Sequence, residues 1–267
     1  MVTQSIRSPA VAGAFYPGTK AALKHSIQDY LSQADPPDLT GVRAVIVPHA
    51  GYIYSGPIAA FSYKVLAKQA MTPARVYLMG PAHRAWFPGI ALADFAALRT
   101  PLGDAPVDGE TLQDLAEQSN LFKPLPGAHA NEHSLEVQIP FLQVIYEDMP
   151  PLVPMLFGNV DPTAVGEVLN EALSANDITV VSSDLSHYHS YDEARRKDRA
   201  FVDAVLHHQK REVASGEACG QAPILALMTL AEKQGWEPQL LDYRNSGDTG
   251  GGKGQVVGYA AIAYLES

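Results

Sequence analysis

Four short runs of apolar and β-branched residues punctuate the chain: Arg43 to Pro48, Arg75 to Gly80, Leu152 to Gly158 and Ile178 to Asp184. Each is nearly continuous rather than alternating, as in strands covered on both faces. Between them apolar residues recur at helical spacing over Pro57 to Ala67, Asp108 to Ser119, Glu132 to Tyr146 and Pro162 to Leu173, and then over Tyr191 to His208 and Gln221 to Gln234. Strands alternating with amphipathic helices predict an α/β fold with a central, mostly parallel sheet flanked by helices on both faces. Two later runs, Gln239 to Arg244 and Gln255 to Leu265, predict an antiparallel hairpin added to that sheet. Gly89 to Leu102 predicts a further pair of strands.

Composition narrows this picture. A chain of 267 residues, 46% hydrophobic, suffices for one large core, so a single domain is expected over residues 1–267. No run approaches the roughly 20 apolar residues of a membrane span, and Met1 to Pro9 lacks the apolar stretch of a signal peptide. A net charge of −10 disfavours nucleic acid as a partner, because phosphate binding requires clustered cations. The densest basic run, Arg195, Arg196, Lys197 and Arg199, is interleaved with Asp192, Glu193 and Asp198 and reads as a solvated helix face. One cysteine, Cys219, excludes an intrachain disulfide and a multi-cysteine zinc site, so the cytoplasm is the expected compartment. The Gly247 to Gly254 stretch precedes a strand-like run rather than a helix, which makes it a mobile loop or hairpin tip and not a phosphate cradle.

Candidate chemistry gathers where strands end. Ligands of open α/β sheets bind at the carboxyl ends of the strands. One strand runs into Pro48-His49-Ala50-Gly51-Tyr52, another into Gly80-Pro81-Ala82-His83-Arg84, and a third into Ser182-Ser183-Asp184-Leu185-Ser186-His187. His49 and His83 each follow a Pro-containing turn, a rigid support suited to a metal ligand; either one alone also fits a hydrogen-bonded turn histidine. Asp184 and His187 are spaced to face one pocket, with the carboxylate orienting the imidazole; the other reading has Asp184 capping a turn and His187 half-exposed. His189 reads as exposed and incidental. In Glu132-His133-Ser134-Leu135-Glu136, the two residues His133 and Glu136 share a helix face and are open to acid–base or supporting roles, while Glu132 suits the helix dipole. Cys219 sits before the apolar helix that starts near Gln221, where a helix N-terminus lowers a thiol pKa; a buried, inert cysteine is the other reading.

Taken together, Tyr16-Pro17, Pro48-His49-Ala50-Gly51-Tyr52-Ile53-Tyr54-Ser55-Gly56, Gly80-Pro81-Ala82-His83, Glu132-His133-Ser134-Leu135-Glu136, Ser182-Ser183-Asp184-Leu185-Ser186-His187 and Cys219-Gly220 resemble the Memo family, whose prokaryotic members are called AmmeMemoRadiSam system protein B. The resemblance spans the whole chain. It implies a fold similar to class III extradiol dioxygenases, which use non-haem Fe(II), with His49, His83 and Cys219 as metal ligands and Asp184 and His187 lining the same pocket. Those dioxygenases use two histidines and a glutamate, so Cys219 stands in the glutamate's place. A thiolate is softer, admits Cu or Zn beside Fe(II), and is itself oxidisable.

The leading expectation is therefore an iron-binding redox protein of dioxygenase-like fold, acting on a small molecule or a modified protein. His187 would serve as acid or base, Asp184 would orient it, and His133 or Glu136 would contact substrate. A second expectation is a non-catalytic adaptor that keeps the pocket for a peptide or partner and works with a radical SAM enzyme and an AMMECR-type protein. A third is metal-free thiol catalysis with Cys219 as nucleophile and His187 as base.

Overall fold

The computed structural model describes residues 5–266; residues 1–4 and 267 of the expected 1–267 domain, and with them part of the Met1 to Pro9 stretch, lie outside the described residues. Strands Val42–Val47, Ile178–Ser182, Val76–Pro81 and Leu152–Phe157 lie side by side in that order, all parallel. Their near-continuous apolar character follows from burial on both faces. Along Val42–Val47 the side chains alternate: Ala44 and Ile46 enter one core, Val45 and Val47 the other. The first core packs under helices Pro162–Ala172, Tyr191–Leu206 and Gln221–Gln234 through residues such as Leu169, Val205 and Leu227. The second packs under Lys20–Gln33, Tyr52–Ala67 and Ile139–Ile145 through Ile27, Tyr63 and Phe141. Each fully buried aliphatic side chain contributes about 1.5–3 kcal/mol, so two-sided coverage is the main stabilising feature.

Antiparallel strands flank the parallel centre and make the nine-stranded sheet mixed. Val256–Glu266 pairs antiparallel with Val42–Val47 and, as the expected hairpin, with Trp236–Asn245. Ile90–Leu92 pairs antiparallel with Leu152–Phe157. The second strand expected within Gly89 to Leu102 exists as Ala97–Thr100, but it does not pair with Ile90–Leu92; it joins Ile6–Arg7 and Gly103–Pro106 in a separate three-stranded sheet. The Gly-rich loop begins as a 3-10 turn, Ser246–Asp248, closed by reciprocal capping between Asn245 and Asp248.

Two helices differ from their expected form. Tyr52–Ala67 starts before Pro57, whose missing N–H leaves the Ile53 carbonyl without a helical donor. The stretch expected as one helix from Glu132 to Tyr146 is instead a turn through residue 135, a 3-10 segment Glu136–Gln138 and a short helix Ile139–Ile145 with Pro140 in its first turn. The charged run of helix Tyr191–Leu206 reaches solvent except at Asp198, which is buried and accepts hydrogen bonds from the Ser186 N–H (3.0 Å) and the Tyr243 hydroxyl (2.9 Å). No helix among the described residues is long and apolar enough to cross a membrane.

Candidate metal centre

Strand register brings the polar loops together. Val47 lies opposite Ser182 and Met79 opposite Val181, so the loops carrying His49, Asp184 and His83 leave adjacent strands at the same end of the sheet. His49 is buried and its ring is fixed from behind. The Ser182 hydroxyl donates to the Ser134 carbonyl (2.5 Å) and accepts from Gln138 Nε2 (2.8 Å). Its one proton is engaged, so it accepts from His49 Nδ1 at 2.9 Å. The neutral imidazole therefore carries its proton on Nδ1 and presents a bare Nε2. Burial, reinforced by the nearby His83 and His133, holds the His49 pKa well below its ordinary value and favours this neutral form.

His83 and His133 share a carboxylate. Glu132 Oε1 lies 2.9 Å from His83 Nδ1 and 3.2 Å from His133 Nδ1. The same carboxylate accepts the backbone N–H groups of His133 (2.8 Å), Ser134 (2.9 Å), Arg84 (3.3 Å) and His83. Burial by itself would raise the Glu132 pKa, but the bonds from His133, His83 and Ser134 outweigh it and hold the carboxyl far below the usual range. An ionised carboxylate only accepts, so both rings donate from Nδ1 and keep Nε2 for another partner. The rings of His83 and His133 stack at 4.8 Å, and both meet His49 edge-on, at 5.2 and 5.6 Å. One ring nitrogen of each histidine lies within 4.8 Å of the others, the one such grouping of metal-binding side chains among the described residues.

Cys219 adjoins this trio through His49, with Sγ 3.2 Å from Nε2. The expected lowering of its pKa does not occur. Burial, and after it the Asp184 charge, push the thiol up, against hydrogen bonds with the Asp184 and Gly220 backbone and the Ser183 side chain. Nor is His187 its imidazole neighbour, as the thiol-catalysis expectation required; His49 is. Asp184 is buried, and burial raises its pKa; its Oδ1 accepts the His49 backbone N–H at 2.7 Å, so it braces the His49 loop instead of hydrogen-bonding His187. His187 lies on the short strand His187–His189, close enough to Asp184 and His49 to act on their charge. His189 is half-buried rather than exposed: its Nε2 meets Glu217 at 3.0 Å and its Nδ1 meets Glu193 at 3.4 Å. Glu136 departs furthest from expectation. Both of its oxygens are engaged by the N-terminal segment, through Arg7, the Ala10 and Val11 N–H groups (2.7 and 3.0 Å) and the Tyr16 hydroxyl (2.6 Å).

Sequence reading missed Glu132, Ser182 and Gln138, which orient the rings. For Glu132 the available signal was a carboxylate immediately before His133, beside a second histidine motif in need of an anchor.

A protein-family model described as Memo-like protein matches residues 7–263. The chain belongs to the Memo-like family. MEMO1 family proteins of Methanopyrus kandleri and Aeropyrum pernix are 36% and 37% identical to it, over 97% and 96% of this chain and 98% and 99% of theirs. That of Nitrosopumilus maritimus is 34% identical over 97% of this chain and its own full length. Among solved structures, an uncharacterized protein of Escherichia coli K12 superposes with a TM-score of 0.55 over 82% of this chain and 99% of its own, at 15% identity, a likeness of fold alone. The match takes in all of the loops that converge at this end of the sheet, from His49 to Cys219.

Proposed function

We propose that this Memo-like protein binds a metal ion at the strand ends and uses it in redox chemistry on a small molecule or a modified protein. The observation that carries this reading is the gathering of three histidines, each held at Nδ1 by Ser182 or Glu132, with Nε2 unengaged in His83 and His133 and turned to the Cys219 thiol in His49. Anchoring the remote nitrogen fixes tautomer and ring direction, as the outer partners of metal-bound histidines do. His49 and His83, with Cys219 beside His49, are the proposed ligands, and His133 completes the wall. Fe(II) is the proposed ion, with Cu or Zn as the alternatives that a sulfur donor admits. Fe(II) would supply a redox-active Lewis acid with positions left for substrate and oxygen. Around it, Asp184 holds the His49 loop, and His187 is the side chain available for proton transfer. The likeness to class III extradiol dioxygenases supports the metal more than ring cleavage, because fold alone does not fix a reaction.

The test compares metal content in wild type, His49→Ala and Cys219→Ser, purified without added metal. Loss of metal in both variants is expected, and equal content in all three overturns the proposal.

One observation favours a second reading, an adaptor whose site serves a partner. Large apolar side chains stand exposed in the loops that carry the site: Trp86 is 83% exposed three residues after His83, and Tyr188 is 69% exposed beside His187. Radical SAM and AMMECR-type proteins are the proposed partners. Their capture by His49→Ala as efficiently as by wild type would favour this reading, and capture by neither would set it aside.

A further inference from the structure

Arg7 lies far from the histidine motifs in sequence, yet it is 5% exposed and each of its three guanidinium nitrogens is engaged by the loop that bears His133. Nη1 pairs with the Glu136 carboxylate, Nε donates to the His129 carbonyl at 2.9 Å, and Nη2 donates to the Glu132 carbonyl at 2.5 Å. One planar fork thus fixes the main chain of Glu132 while the Glu132 side chain fixes His83 and His133. The N-terminal segment is tied down in return, because Glu136 accepts from Ala10, Val11 and Tyr16. Within that clamp, one residue before Tyr16, the segment touches the site itself. The Phe15 ring meets the His133 ring edge-on at 4.8 Å, and the Phe15 carbonyl accepts the Tyr52 N–H at 2.8 Å, just beyond His49.

We propose that Arg7 is a positioning residue of the metal centre, acting through Glu132 on the His83 and His133 rings, and that the N-terminal segment is thereby part of the centre. This rests on the reading of the histidine site as a metal site. Lysine retains the charge at position 7 but offers a single ammonium in place of the three-directional fork, so Arg7→Lys separates positioning from charge. Arg75 provides the control. It forms a comparable fork with Asp177 (3.0 and 2.8 Å) and Thr111 (2.8 Å), at the opposite end of the strands.

The experiment titrates Co(II) anaerobically into metal-free full-length wild type, Arg7→Lys, Arg75→Lys and Tyr16→Phe, following the visible ligand-field bands, with thermal unfolding of each metal-free protein in parallel. Removing an outer partner of a metal-bound histidine costs about 10–100-fold in affinity, and Arg7 stands one bond further out. Arg7→Lys is therefore expected to bind Co(II) about 10-fold more weakly with shifted bands, whereas Arg75→Lys loses stability and keeps wild-type affinity and spectrum. Tyr16→Phe removes one donor from the clamp with little volume change and is expected to weaken Co(II) binding by a factor of about 3; it decides the question if Arg7→Lys does not fold. Wild-type affinity and spectrum in folded Arg7→Lys, or equal losses in Arg7→Lys and Arg75→Lys, overturn the proposal. Failure of wild type to bind Co(II) at all overturns the metal reading beneath it, a distinct result.

Discussion

Replacing Glu132 by Gln tests whether one carboxylate organises the site. The substitution keeps shape and removes charge, and it turns one carboxylate edge into an NH2 group. Oε1 faces the N–H groups of His133 and Ser134 and both Nδ1 atoms, while Oε2 faces the N–H groups of His83 and Arg84. The amide will turn its NH2 toward Oε2's position, because His83 and Arg84 are at the solvent-exposed mouth and water can relieve stranded donors there. Two part-buried donors left facing another donor cost about 1 kcal/mol each, the low end of the usual range. The two histidine bonds lose their charge assistance, about 1 kcal/mol apiece. Glu132→Gln should therefore lose about 3–4 kcal/mol in urea-induced unfolding and, by releasing the rings, about 10–100-fold in metal affinity. A stability within about 1 kcal/mol of wild type refutes the hydrogen-bond reasoning. A destabilised variant with wild-type metal affinity refutes the claim that Nδ1 anchoring readies the rings.

Three further outcomes follow from particular contacts. A Cβ at Gly258 would sit 2.0 Å from Asp198 Oδ2 in a buried joint, so Gly258→Ala should cost about 3 kcal/mol and lower the melting temperature by several degrees; an unchanged melting curve contradicts the close approach. Burial lowers the His129 pKa from 6.5 to about 4, so its contribution is whole above pH 6.5 and is lost as pH falls toward 4; at about 1.4 kcal/mol per pH unit, about 2 kcal/mol should go between pH 7 and pH 5. Buried His49 acts in the same direction, and His129→Gln should flatten, without abolishing, the pH dependence measured by urea unfolding; an unaltered slope rejects the assignment. Tyr188 holds φ at 61° with its ring exposed, so Tyr188→Asn should raise stability by up to about 1 kcal/mol, and a loss of stability would show that the ring packs to some purpose.

The parallel centre was legible in the sequence because burial on both faces demands uninterrupted apolar runs, and the four central strands match those runs to within two residues at each end. Helix Lys20–Gln33 and the strand Ile6–Arg7 were not legible. That helix buries only Leu23 and Ile27 fully, and a two-residue strand has no period to detect. The turn around Glu132 was misread for a related reason. Glu132, His133 and Glu136 satisfy helical spacing, but the Glu132 side chain captures the N–H groups of His133 and Ser134 that a helix start would leave free, and the local bonds compete successfully with the helix. Strand ends located His49, His83 and Asp184 because topology alone delivers residues there. The partners that orient them lie more than forty residues away in sequence, as Ser182 does from His49 and Glu132 from His83, and no local pattern encodes such a pairing.

The choice between Cys219 and His133 as third ligand turns on one atom. His49 Nε2 faces the Cys219 sulfur at 3.2 Å, and that nitrogen cannot both accept the thiol hydrogen and bind a metal. A metal taken up by His49 must displace the thiol hydrogen bond, and the sulfur is then already beside the ion. Ligands at about 2.0–2.1 Å for nitrogen and 2.3 Å for sulfur require an N···S separation only slightly wider than the one observed. The three histidine nitrogens lie within 4.8 Å of one another, and drawing His83 toward His49 is a contraction that either ligand set requires. Co(II)-loaded protein should therefore show a sulfur-to-cobalt charge-transfer band that Cys219→Ser removes and His133→Ala retains. The reverse pattern, a spectrum indifferent to Cys219→Ser and abolished by His133→Ala, would assign the ion to the three imidazoles and leave the thiol as a neighbour.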